Sequence, residues 1–132
     1  MRIEDLTPYT YTNRKSLEEA IAVGWLEGED LPKKEGKVPA EVVKILKGHR
    51  VQNFCKGFHW CEYCDEGGKT VGTGNGEIWI IYGDKLYIAP YLIIHYIEEH
   101  NYEPPQEFID AVMKGFQPDS PGYEMRLRTI LK

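Results

Sequence analysis

Two thiols and two imidazoles constrain this chain more than anything else in it. Cys61 and Cys64 lie three positions apart, and His95 and His100 lie five apart, some thirty residues downstream. A Cys-x-x-Cys on a tight loop turns both sulfurs inward, which is how a zinc knuckle presents half of a tetrahedral site. A His pair with four intervening residues on a helix supplies the other half. Five positions of ideal α-helix rotate by about 500°, which leaves the two rings ~140° apart. Convergence on one ion therefore demands that the helix tighten or end near His100. Asn101 suits a left-handed cap, and Pro104-Pro105 forbids continuation.

The remaining chemistry fits a structural ion better than its rivals. The three cysteines fall within ten positions of one another, and an odd count in a reducing compartment speaks against a disulfide framework and for metal or redox chemistry. Redox use of the pair would want a βαβ setting, which the pattern lacks. Cys55 and His59 are each able to replace a proposed ligand, His100 most easily. A buried thiol and a structural ring are the simpler readings for both. Without a metal, His95 would be a hydrogen-bonded core residue and His100 a solvent-facing one.

Composition narrows the function classes. The formal charge is −5, which argues against broad phosphate-backbone binding, because such affinity comes from Lys and Arg. No apolar run approaches the ~20 residues that span a bilayer. The start, Met1 to Asp5, lacks the basic region and apolar run of a signal peptide. A cytoplasmic protein with no membrane partner is expected.

The 132 residues read as one domain. Residues 1–15 suggest an extended arm. Ser16 to Glu19 is a capping box, and Leu17, Ala20, Ile21 and Val23 then predict a helix ending at Gly24. Trp25 and Leu26 are expected to fold back on it. After a charged loop, Val38-Pro39 opens a second helix with Val42, Val43, Ile45 and Leu46 inward and Gly48 at its end. Ile78 to Tyr82, Gly83-Asp84 and Leu86 to Ala89 predict a β-hairpin whose first turn position needs a positive φ. Pro90 opens a helix through about His100, with Leu92, Ile93, Tyr96 and Ile97 inward. Gln106 to Lys114 predicts another, with Phe108, Ile109 and Val112 buried. The tail, residues 116–132, is left open: Tyr123 to Lys132 fits a strand or a helix.

Other motifs are weaker. Gly72 to Gly76 precedes a strand and lacks a Gly-Lys-Ser/Thr ending, so it is a flexible turn rather than a phosphate loop. Glu98 and Glu99 between the histidines do not make a His-Glu-x-x-His protease motif. The order of motifs is also wrong for a zinc deaminase. Tyr87, Tyr91, Tyr96 and Tyr102 are read as the edge of a core rather than a binding surface.

Several strings together resemble an uncharacterised family of bacterial domains of unknown function. They are Gly24-Trp25-Leu26, Val38-Pro39-Ala40-Glu41, Gly57 to Cys64, Gly76-Glu77-Ile78, Tyr87-Ile88-Ala89-Pro90, His95-Tyr96 and His100 to Phe108. The likeness runs from about Leu6 to Val112. It implies a shared fold and brings no activity or substrate.

The expectation is an α+β, zinc-knuckle-like domain with one β-hairpin and about four short helices. Zn²⁺ is its cofactor, held by Cys61, Cys64, His95 and His100, and no catalytic residue is assigned. A protein-binding module is the first function, with oligomeric state left open. A metal-dependent enzyme of hydrolase or nuclease type, with an open zinc position and Glu98, Glu99 or His59 as acid–base groups, is the second. Nucleic-acid recognition through Arg50, Lys56, Arg126 and Arg128 is the third and is disfavoured by the charge.

Overall fold

The structure is a computed structural model that describes residues 3–9, 20–26, 38–49, 58–60, 73–100 and 102–130, and of 58–60 and 73–75 the backbone alone. The chain is α+β. Among the described residues, six strands and four helices follow in the order β1 (Thr7–Pro8), β2 (Ile21–Ala22), α1 (Ala40–Gly48), β3 (Phe58–Trp60), β4 (Thr73–Asn75), β5 (Glu77–Tyr82), β6 (Lys85–Pro90), α2 (Ile93–His100), α3 (Gln106–Lys114) and α4 (Pro121–Ile130).

The hairpin β5–β6 is the centre. It pairs Tyr82 with Lys85 around Gly83-Asp84, and Gly83 takes φ +63°, the left-handed region that glycine enters without a Cβ penalty. Alternation then sends side chains to opposite faces. Ile78, Ile80, Tyr87 and Ala89 join one core with α1, α2 and α3, through Val42, Leu46, Ile93, Tyr96, Phe108 and Val112. Trp79, Ile81, Leu86 and Ile88 join a second core with Ile3, Tyr9, Trp25, Tyr123 and Leu127. With both faces covered, the strands read as continuous apolar runs.

The sheet has the order β1-β2-β6-β5. β2 lies parallel to β6, with Ile21 opposite Tyr87, and β1 lies antiparallel to β2. This overturns the predicted helix over 16–24 where it is described: Ile21–Ala22 is a strand, and the capping box lies outside the described residues. The physical reason is tertiary. The Val23 amide donates to the Ile88 carbonyl at 3.1 Å, and the Trp25 indole donates to the same carbonyl at 3.0 Å. β-branched Ile21 and Val23 suit that pairing, and their spacing fits either period. Within the predicted arm, Thr7–Pro8 is a sheet strand and Ile3 bridges Trp25.

α1 and α3 follow the sequence. Pro39 and Pro105 stand at their N-terminal caps, and Gly48 and Gly115 mark their ends. α2 begins later than predicted: Pro90 closes β6, and the helix starts at Ile93 after a turn. The tail resolves as a helix. Ser120 Oγ accepts from the Tyr123 amide at 3.2 Å, and Pro121 occupies the first turn, where its missing N–H costs nothing. Within the glycine-rich stretch, Thr73–Asn75 is a strand rather than a flexible turn, because it pairs antiparallel with Phe58–Trp60.

Candidate metal centre

α2 presents the histidines. Ile93, Ile94 and Tyr96 are buried, Ile97 packs against the same core, and Glu98 and Glu99 are exposed. That rotation leaves His95 and His100 half-buried on the flank of the helix. His100 is the last residue of α2, so the helix ends where the spacing demanded. The Tyr102 amide reaches back to the Tyr96 carbonyl at 3.0 Å and satisfies an acceptor that the helix end would orphan. Asn101 lies outside the described residues.

The two rings converge. His95 Nε2 and His100 Nε2 are 3.2 Å apart, with ring centroids 4.9 Å apart and planes inclined at 74°. One arrangement with this separation is an Nε2–H···Nε2 hydrogen bond between suitable tautomers. The other is a shared cation: with Zn–N bonds of about 2.0–2.1 Å, neighbouring nitrogens of a tetrahedral site stand ~3.3 Å apart. The His95 pKa is held below the usual imidazole value. Burial is the main cause, the neighbouring His100 adds to it, and Glu99 and Glu98 oppose it. The neutral ring so favoured is the form that ligates metal.

The C-terminal end of α2 is tied to the start of the chain. Tyr102 donates through its hydroxyl to Asp5 Oδ2 at 2.6 Å, and Asp5 Oδ1 accepts from the Gly24 amide at 2.8 Å. Burial and then the Asp5 carboxylate push the Tyr102 pKa up. Gly24 takes φ +81°, and a Cβ there would lie 2.8 Å from Ile93 Cδ1, so only glycine lets the β2 segment pass this close to α2.

Cys61 and Cys64 lie outside the described residues. Their position in the chain is nevertheless bounded. Trp60, one residue before Cys61, pairs with Thr73, so the segment carrying both cysteines joins two paired strands. β4 then runs through Gly76 into β5, and the Gly76 carbonyl accepts from the Tyr91 amide at 3.1 Å, in the turn that leads into α2. Among the described residues, no set of three or more His, Cys, Asp and Glu side chains is placed to hold an ion.

The other named residues scatter. Glu98 pairs with Lys47 of α1 at 3.1 Å, both exposed, a contact worth ~0–1 kcal/mol. Arg126 and Arg128 lie on α4, away in sequence from the His helix. Cys55, Arg50 and Lys56 lie outside the described residues, as does the His59 side chain. Tyr87, Tyr96 and Tyr102 are buried, whereas Tyr91 is 38% exposed. No helix among the described residues is long and apolar enough to cross a membrane.

Two buried groups had no sequence signal. Glu77 Oε2 accepts from the Tyr9 hydroxyl and Oε1 from the Trp79 indole, the latter at 3.1 Å. Burial raises the Glu77 pKa to about 7, against the lowering effect of the Trp79 bond. His49, just past α1, packs against Tyr123 with ring centroids 5.2 Å apart and planes inclined at 55°. Burial lowers its pKa to about 4, opposed by the Asp119 charge. A carboxylate one residue before an apolar run reads as a strand flank, and nothing local distinguishes it from a buried acid.

No curated protein and no solved structure matches the chain. A family's sequence model, described as a domain of unknown function (DUF7919), matches residues 1–113, which takes in both histidines, both paired cysteines and every element through α3 except the last residue of that helix. The chain belongs to that family.

Proposed function

We propose that this chain is a zinc-stabilised binding module in which Cys61, Cys64, His95 and His100 hold one structural ion and the folded surface engages a protein partner. The observation that carries the reading is the pair of imidazole nitrogens 3.2 Å apart at the end of α2, the separation that tetrahedral zinc imposes on two histidine ligands. Two features support it. The Cys-x-x-Cys begins directly after a paired strand, as a knuckle does, and burial holds the His95 pKa below the usual imidazole value. Four protein ligands leave no position for water, so the ion's contribution is cross-linking rather than hydrolysis. The ion joins the 61–72 segment to α2 and couples folding to metal loading.

The test is metal analysis of the purified chain with ligand variants. The expected content is ~1 zinc per chain. Cys61→Ser and His95→Ala should each release the ion and unfold the domain, because structural zinc binding of ~10–16 kcal/mol is as large as the whole ~5–15 kcal/mol stability of a typical domain. A melting temperature unchanged by either substitution contradicts the proposal. Three protein ligands plus water would instead favour the enzymatic alternative.

A further inference from the structure

One carboxylate near the N-terminus bears on both ends of α2. Asp5 Oδ1 accepts from the Gly24 amide at 2.8 Å, and Oδ2 accepts from the Tyr102 hydroxyl at 2.6 Å. Gly24 lies against Ile93, the first residue of the helix, and Tyr102 closes the turn that follows its last residue, His100. With both oxygens engaged, the carboxylate fixes the two donors relative to each other, and such charge-assisted bonds are roughly twice as strong as neutral ones. The backbone beside Asp5 is strained. Leu6 takes φ +64°, a left-handed conformation that a leucine adopts only at a cost, and its side chain is 41% exposed, so burial does not explain it. Strain of this kind persists where surrounding contacts fix it. Here they are the two Asp5 bonds and the Leu6 amide on the Ala22 carbonyl at 2.8 Å.

From Tyr102 the contacts run without a gap to the two imidazoles. The Tyr102 amide donates to the Tyr96 carbonyl, and the two rings meet edge-on with centroids 6.5 Å apart and planes at 81°. The Tyr96 ring is buried and its centroid lies 6.3 Å from that of His95, which in turn is 4.9 Å from His100. His100 is also joined to Tyr102 through the backbone, two positions away. Groups standing behind metal ligands orient the rings, and their loss typically costs about 10–100-fold in metal affinity.

We propose that Asp5 is a positioning residue for the His95–His100 pair, acting through Tyr102 and Tyr96, a role that rests on zinc occupying that pair. Asp5 touches neither ring. It holds the end of α2 against the N-terminal segment, so that the two Nε2 atoms stand at ligand separation before an ion arrives and little ordering is left to oppose binding. Without the bridge the last turn frays, as helix ends do, and His100 leaves its place.

The test follows zinc release from the loaded chain into excess chelator. Asp5→Ala and Tyr102→Phe, the second of which keeps the buried ring, should each release zinc about 10–100-fold faster than wild type. The double variant should be no faster than the singles, because each removes the same bridge. Asp5→Asn keeps a carbonyl oxygen for the Gly24 amide and offers an N–H to the Tyr102 oxygen, so it should recover most of the loss. Ser120→Ala loosens α4, remote in sequence from the histidines, and should release zinc close to the wild-type rate. With cobalt(II) in place of zinc, the visible absorption that reports ligand geometry should change in Asp5→Ala and not in Ser120→Ala. Release from Asp5→Ala no faster than from wild type or from Ser120→Ala overturns the proposal and leaves the zinc site standing. Additive effects in the double variant do the same. A wild-type chain that takes up no zinc overturns the zinc site itself, and the role of Asp5 with it.

Discussion

Glu77 and His49 show how two buried residues of opposite charge type shape stability against pH. The Glu77 pKa rises from 4.5 to about 7 in the fold, so the folded state prefers its protonated form. Its contribution is present in full below pH 4.5 and is lost as pH rises through 7. The His49 pKa falls from 6.5 to about 4, so the folded state prefers the neutral ring. That contribution is present above pH 6.5 and is lost as pH falls through 4. The two slopes oppose each other over the same window, each amounting to about 3 kcal/mol. Urea denaturation of wild type and Glu77→Gln across pH should therefore show the wild type losing about 3 kcal/mol relative to the variant as pH rises from 4.5 to 7 or just above. Against His49→Phe, the wild type should gain about 3 kcal/mol as pH rises from 4 to 6.5. A pH-independent difference in either series would contradict the burial argument.

At the scale of elements, what the sequence disclosed depended on whether the signal was local. The β5–β6 hairpin was legible because Gly83-Asp84 fixes the turn and the apolar runs fix the register. α1 and α3 were legible because prolines open them and glycines follow. β2 was not, since two residues that look helical are claimed by β6, sixty-six positions further along the chain and invisible to any short window. Gly24 looked like a helix stop but serves a close approach. Gly24→Ala should cost about 1–2 kcal/mol for the left-handed backbone and about 1–3 kcal/mol for the contact with Ile93, read as a fall in unfolding free energy. α4 was ambiguous because its apolar residues alternate, and Ser120 at its cap decides the matter. Ser120→Ala should cost about 0.5–2 kcal/mol, and an unchanged denaturation midpoint would remove the cap from the account.

For the whole molecule, one sheet separates two cores, and both ends of the chain close the second of them. Ile3 and Tyr9 come from the start, and Tyr123 and Leu127 from the end. The meeting of the two histidine rings was legible in that frame. The spacing of His95 and His100 required a helix ending at the second ring, and the helix ends there with the nitrogens together. The tie through Asp5 and Tyr102 was hidden, because a contact across ninety-seven positions leaves no local pattern. Zinc-edge X-ray absorption on the purified chain tests the central claim most directly. Two sulfurs at about 2.3 Å and two nitrogens at about 2.0–2.1 Å are the predicted shell. A zinc-free protein, or a shell of nitrogen and oxygen without sulfur, would contradict it.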